Sequence, residues 1–225
     1  MGDNVAPQNL GAARPASDRY DLVFALLVAS FLLTASLPGG RARVLPFVLY
    51  VAALTLALRG AFRDRRVSHR LLWTLLVGSA VAVILLIVVP NGTVHGVVSL
   101  WVAAILVLSI VAVVRRVLAH RVVTMQTIFG ALSAYLLIGF LYAALFSAVS
   151  ELHHTALFAH GQPANSKTIQ YFSFITMTTV GYGDFTAASE PARTLAVFDA
   201  LSGQIFLVTL VARLVSIFGT TRSER

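Results

Sequence analysis

The chain has 225 residues, 58% hydrophobic and only 12% charged, and its 17 Lys+Arg against 9 Asp+Glu give a net charge of +8. Soluble domains carry about 25% charged residues, so this composition, with a mean hydropathy of +0.84, excludes a soluble domain, a disordered chain, a collagen and a coiled coil and leaves an integral protein of the lipid bilayer. The arginines lie between apolar runs and form no basic face, which removes nucleic acid, and the absence of Cys removes disulfides, thiol catalysis and Cys-ligated metals.

Residues 1–19 are polar, contain Gly, Pro, Asn and Asp, and read as a disordered cytoplasmic tail. The apolar run that follows is long and has no small-residue cleavage site, so it reads as a signal anchor and not a signal peptide. A bilayer core about 30 Å thick needs about 20 apolar residues of helix. Six runs qualify: 20–37, 44–62, 71–89, 94–114, 122–149 and 192–218. Pro38-Gly39-Gly40 closes the first and Pro90-Asn91-Gly92 the third. A further run, 168–178, is too short to span. Before it, residues 151–167 carry His153, His154 and His160, whose spacing fits no strong zinc pattern. A solvated loop is expected there in preference to a metal site or an external pH sensor. Residues 220–225 read as a short cytoplasmic tail, and too few residues follow Phe218 for a nucleotide- or calcium-binding domain.

Cytoplasmic loops carry the Lys/Arg excess of membrane proteins. Arg14 and Arg19, then Arg59, Arg63, Arg65, Arg66 and Arg70, then Arg115, Arg116 and Arg121, and finally Arg222 and Arg225 fall on one side; Arg41, Arg43, Lys167 and Arg193 fall on the other. Both termini are therefore expected inside a cell membrane crossed six times. A voltage sensor needs Arg or Lys at every third position of its fourth helix, and residues 94–114 have none. The candidate acidic partners Asp18, Asp21 and Asp64 lie at or beyond span ends. Weak voltage dependence is expected. Residues 115–121 read as a short connection, solvated or facing anionic headgroups.

The short run ends in Thr178-Thr179-Val180-Gly181-Tyr182-Gly183-Asp184. Alternate glycines can take positive φ, so neighbouring carbonyls can be aimed at a common axis. Rings of such oxygens replace the water of a dehydrated K⁺. Here the chain resembles the potassium channel family, over residues 122–219. The resemblance implies a selectivity filter in which Thr179, Val180, Gly181, Tyr182 and Gly183 bind K⁺, Thr179 also through its hydroxyl. Val180 and Tyr182 would point away from the axis and pack on the supporting helix, while Asp184 at the mouth concentrates cations. Thr178, Tyr171, Phe172 and Phe174 would support the filter, with a hydrogen bond from the Tyr171 hydroxyl to Asp184. Ile175 stands where some members carry a glutamate, so gating through a buried Glu–Asp contact is not expected. One filter is a quarter of a ring, which implies a homotetramer.

In the last span, Gly203 follows Asp184 by 19 residues, the position of the family's hinge glycine. A hinge and close helix packing are equal alternatives for it. Gly203, Gln204, Leu207 and Val211 share a helix face, which the resemblance turns toward the cavity, with Val215 one turn on as an inner gate. Charges within a span are rare and usually functional. Arg213 is expected to snorkel to the interface, and Asp199 to tune the filter from behind.

The expected fold is an all-α membrane protein: six transmembrane helices plus a re-entrant pore helix and filter, in a tetramer. Residues 20–121 form a four-helix membrane domain without gating charges, and residues 122–219 a pore domain. The expected function is passive, potassium-selective conduction, with K⁺ as the permeant ligand and no cofactor. No enzyme motif is present. The alternatives are a non-selective cation channel and a non-conducting membrane sensor or partner subunit; a regulatory subunit beside the four copies is left open.

Overall fold

The computed structural model describes residues 20–36, 48–53, 55, 65–89, 91–119, 124–153 and 156–220, with backbone alone at 65–72 and 214–220. The expected tail 1–19, residues 221–225 of the expected tail 220–225, most of the run 44–62, and His154 lie outside the described residues, while Thr220 ends the last helix. All named elements are helices: α1 (Tyr20–Ser36), α2 (Arg65–Val88), α3 (Gly92–Ala119), α4 (Met125–Leu152), α5 (Ser166–Met177) and α6 (Glu190–Thr220). Residues 48–53 and 55 are helical as well.

Among the described residues, three helices are long and apolar enough to cross a membrane: α3, α4 and α6 through Arg213. Helices α3 and α6 overrun at both ends the apolar runs that announced them, because backbone hydrogen bonding continues into the flanking polar residues. The connection expected at 115–121 is thereby corrected: α3 continues through Arg115 and Arg116 to Ala119.

Helix α4 is the centre of the fold, packed against α1, α3, α5 and α6. Thr124 caps it, its hydroxyl oxygen accepting from the Thr127 N–H while Thr127 accepts from the Thr124 N–H. Such reciprocal caps satisfy two orphan donors at a helix start. Helix α1 buries Tyr20, Val23, Leu27, Ser30 and Thr34, a stripe at three- and four-residue spacing. The Tyr20 N–H donates to the Gln126 side chain at 3.1 Å, which ties the starts of α1 and α4 together.

Two aromatic groups seat α5. Phe174 lies 4.9 Å from Phe31 of α1 and 5.3 Å from Phe140 of α4, both edge-on. Phe172 lies 4.9 Å from Phe146 of α4 and 5.4 Å from Phe158. The Gln170 amide donates to the Phe31 carbonyl at 3.2 Å. A twelve-residue helix, too short to stand alone, is thus wedged on α4 and α1 with its C-terminus leading into residues 178–184.

Candidate functional site

The start of α5 is fixed by its own sequence. The Asn165 side chain accepts from the N–H groups of Lys167 (3.0 Å) and Thr168 (3.2 Å), and the Thr168 hydroxyl oxygen accepts from the Asn165 N–H (3.0 Å). This cap starts the helix two residues before the expected 168. At the other end the chain folds back onto the helix terminus. The N–H groups of Val180 and Gly181 both donate to the Ile175 carbonyl, at 2.9 and 3.1 Å, and that of Thr179 to Thr176 at 2.9 Å. Three of the loop's donors are thus taken up by α5. Among the described residues, the carbonyls of Thr179, Val180, Gly181, Tyr182 and Gly183 accept no hydrogen bond.

Backbone angles set where those carbonyls point. Thr179 has φ +59°, Gly181 φ +46° and Gly183 φ +82°, whereas Val180 and Tyr182 keep negative φ. A strand sends successive carbonyls to opposite sides; alternating left-handed and ordinary residues turns them to the same side. The glycines were legible in the sequence, but Thr179 was not. A β-branched residue at positive φ is a strained outlier, and nothing in the residue type announces it. With a row of unpaired oxygens and the negative end of the α5 dipole beneath it, the loop is suited to a cation.

The outer end of the loop is held from three directions. The Tyr171 hydroxyl donates to Asp184 Oδ2 at 2.8 Å. That hydrogen bond, with some desolvation and the charge of Asp184, holds Tyr171 above the usual tyrosine value. The Gln162 amide donates to the Asp184 carbonyl at 2.6 Å. Residues 157–159 pair with residues 186–188 through Ala159 N–H to Thr186 (2.9 Å) and Ala188 N–H to Leu157 (2.9 Å). Gln162 had no signal in the sequence: a lone Gln in a polar loop resembles any other.

Several expected placements differ. Phe174 braces α5 against α1 and α4, and Phe172 braces it against α4 and Phe158. Val180 and Tyr182 are 51% and 74% exposed. Gly203 does not share the open face of Leu207 and Val211, which are exposed. It is buried against the end of α5, where a Cβ would collide with the Met177 carbonyl. Gln204 reaches the loop's inner end, its amide 3.5 Å from the Thr179 hydroxyl. The Val215 side chain lies outside the described residues. The Arg213 guanidinium donates to the carbonyls of Val117 and Leu118 in the last turn of α3. Asp199 is fully buried, beside Ser173 of α5. His153 ends α4 through its backbone N–H, and no group of three metal-ligating side chains occurs among the described residues.

The family model of an ion channel domain matches residues 131–219, from α4 through α6. A voltage-gated potassium channel regulatory subunit, KCNG2 of Rattus norvegicus, is 31% identical over 96 residues, 43% of this chain. Its counterpart in Gallus gallus is 32% identical over the same share. Residues 131–219 are thus similar to an ion channel domain, and part of the chain to potassium channel subunits. The chain spans only 19% and 18% of the lengths of these two relatives. The matched stretch runs from α4 through α6. It is the part of the chain that holds α5 and the loop after it.

Proposed function

We propose that the protein conducts K⁺ passively and selectively as a homotetramer, each chain lending residues 178–184 as one quarter of a selectivity filter. The observation that carries this reading is the alternation of positive φ at Thr179, Gly181 and Gly183 with unpaired carbonyls along it. Thr179, Val180, Gly181, Tyr182 and Gly183 would coordinate K⁺ in single file, with knock-on between sites. Thr178 would close the inner end of α5, and Asp184 with Tyr171 would hold the mouth. Gln204, Leu207 and Val211 would line the cavity and Val215 the inner gate.

A tetramer is supported by what a single chain leaves uncovered. Val197, Phe198, Leu201, Ile205 and Val208 of α6 are each at least half exposed, as are Val180 and Tyr182. Apolar surface on this scale calls for lipid and neighbouring copies. An intramembrane loop with open carbonyls likewise needs protein around it. In this reading residues 20–121 form a membrane domain, 122–219 the pore domain, α5 the re-entrant pore helix, and six spans cross the plasma membrane with both termini inside. The absence of Arg or Lys from 94–114 supports weak voltage dependence.

The printed names of the two relatives favour one second reading, a regulatory subunit that conducts only in company. Purified protein in liposomes separates the two. Potassium flux from this chain alone, with a reversal potential that follows K⁺ and not Na⁺, supports the homotetramer. No flux from correctly assembled protein refutes it, and a reversal potential indifferent to the ion points to a non-selective pore.

A further inference from the structure

Asp199 and Gly203 lie one turn apart on the face of α6 that meets α5, and Asp199 is completely buried. Its Oδ2 stands 3.2 Å from the Ser173 hydroxyl oxygen, while Oδ1 has no hydrogen-bond partner among the described residues. The same Ser173 oxygen stands 2.8 Å from the Gly139 carbonyl of α4. These three groups bridge the three helices that make up the channel domain.

Hydrogens can be counted across this bridge. A serine hydroxyl carries one hydrogen and a carbonyl oxygen none. The 2.8 Å contact therefore takes the Ser173 hydrogen. Directed at Asp199 instead, it would leave two acceptor oxygens in contact with no proton between them. The Asp199 contact then needs a hydrogen of its own, and only the carboxyl can supply it. We infer that Asp199 is a neutral carboxylic acid donating to Ser173, which donates to Gly139, and that it is the positioning residue holding α5 and its loop between α4 and α6.

The surroundings agree. No cation pairs with Asp199 among the described residues: Arg193 is engaged with Glu190 and the Ala187 carbonyl, and Arg213 with the end of α3. On α5 the group facing Asp199 is Ser173. A fully buried charged carboxylate with one oxygen unpaired among the described residues is far costlier than the neutral acid. The site is also built for close contact. A Cβ on Gly139 would stand 2.7 Å from the Phe174 ring, so glycine there admits both Phe174 and the Ser173 hydrogen bond.

The effect on conduction rests on the potassium-channel reading; the hydrogen bonds do not. The test therefore has a spectroscopic and a functional arm. Infrared spectra of the purified protein at neutral pH should show the C=O stretch of a protonated carboxyl that Asp199→Asn removes. Asparagine keeps a donor for Ser173 and should melt like the wild type and conserve flux and K⁺ selectivity. Leucine, of similar size but without a donor, should lower the melting temperature and reduce selective flux about tenfold, as the loss of a buried hydrogen bond implies. The inference is overturned if the protonated-carboxyl band is absent, if Asn is as damaging as Leu, or if Leu behaves as the wild type in melting. Should the wild type fail to conduct, the functional reading falls alone, and the infrared band with the melting order still decides the hydrogen-bond chain.

Discussion

The Arg213 guanidinium lies 2.9 Å from the Val117 carbonyl oxygen and 3.2 Å from that of Leu118, joining the end of α6 remote from the 178–184 loop to the last turn of α3. The final carbonyls of a helix lack partners, and a cation there meets both the orphan oxygens and the negative end of the dipole. Any outward swing of this end of α6 must break these bonds or carry α3 with it. Arg213→Met should therefore raise the open probability in single-channel records and lower stability by about 1.5–3 kcal/mol, the range for hydrogen bonds to charged groups. Arg213→Lys should fall between, since an ammonium lacks the planar fork. An unchanged open probability in Arg213→Met would remove the coupling.

Two glycines hold α5 by different means, and their alanine variants should differ accordingly. At Gly203 the obstacle is the Met177 backbone carbonyl, which cannot move without unwinding the end of α5. At Gly139 it is the Phe174 ring, which can tilt. Overpacking typically costs 1–3 kcal/mol, so Gly203→Ala should sit at about 3 kcal/mol or above and Gly139→Ala at about 1 kcal/mol. Thermal melting of the purified protein gives the order directly. Equal losses at the two positions would show that the end of α5 yields as readily as a ring.

The sequence spoke clearly where composition or motif is local. Apolar runs announced α1, α3, α4 and α6, and the glycines of the loop announced positive φ at 181 and 183. It was silent where a residue's role is fixed by something distant. Arg213 could be read only as a lone charge in a span, because its partners are backbone carbonyls 96 and 95 positions away. The two readings of Gly203 could not be separated until Met177 was seen against it. Asn165 has no apolar signal, since the cap lies three residues before the apolar stretch. Val180 and Tyr182 were expected on α5, but they are 51% and 74% exposed, and residue type alone does not say what covers them.

The Tyr171 to Asp184 hydrogen bond should persist well into the alkaline range. Tyr171 is raised above its ordinary value of 10.0, chiefly by this hydrogen bond. A tyrosine so raised contributes to stability fully below its ordinary value, and the contribution is lost as pH climbs through the raised one. Filter behaviour should therefore be flat from neutral pH to about 10 and deteriorate only above it. Tyr171→Phe should show the deteriorated state at every pH, seen as weaker K⁺ over Na⁺ discrimination in reversal potentials. A wild-type decline that begins below pH 9 would mean that some other group governs the mouth.

Gly161 and Gly181 provide a matched pair. Both have positive φ, +70° and +46°, and a Cβ on either meets nothing within 4 Å. Alanine at each pays only the cost of left-handed backbone, about 1–2 kcal/mol. The two variants should therefore melt at similarly lowered temperatures. Their conduction should separate completely. Gly161 turns the chain after residues 157–159, away from the unpaired carbonyls, so Gly161→Ala should retain flux. In Gly181→Ala the strain is relieved by rotating the peptide planes beside residue 181, which swings a carbonyl off the common side and removes a ligand from the ion path. Flux in liposomes should be abolished while the protein still assembles. If Gly181→Ala conducts as well as Gly161→Ala, the alternation of backbone hand along 179–183 is not what carries the ion.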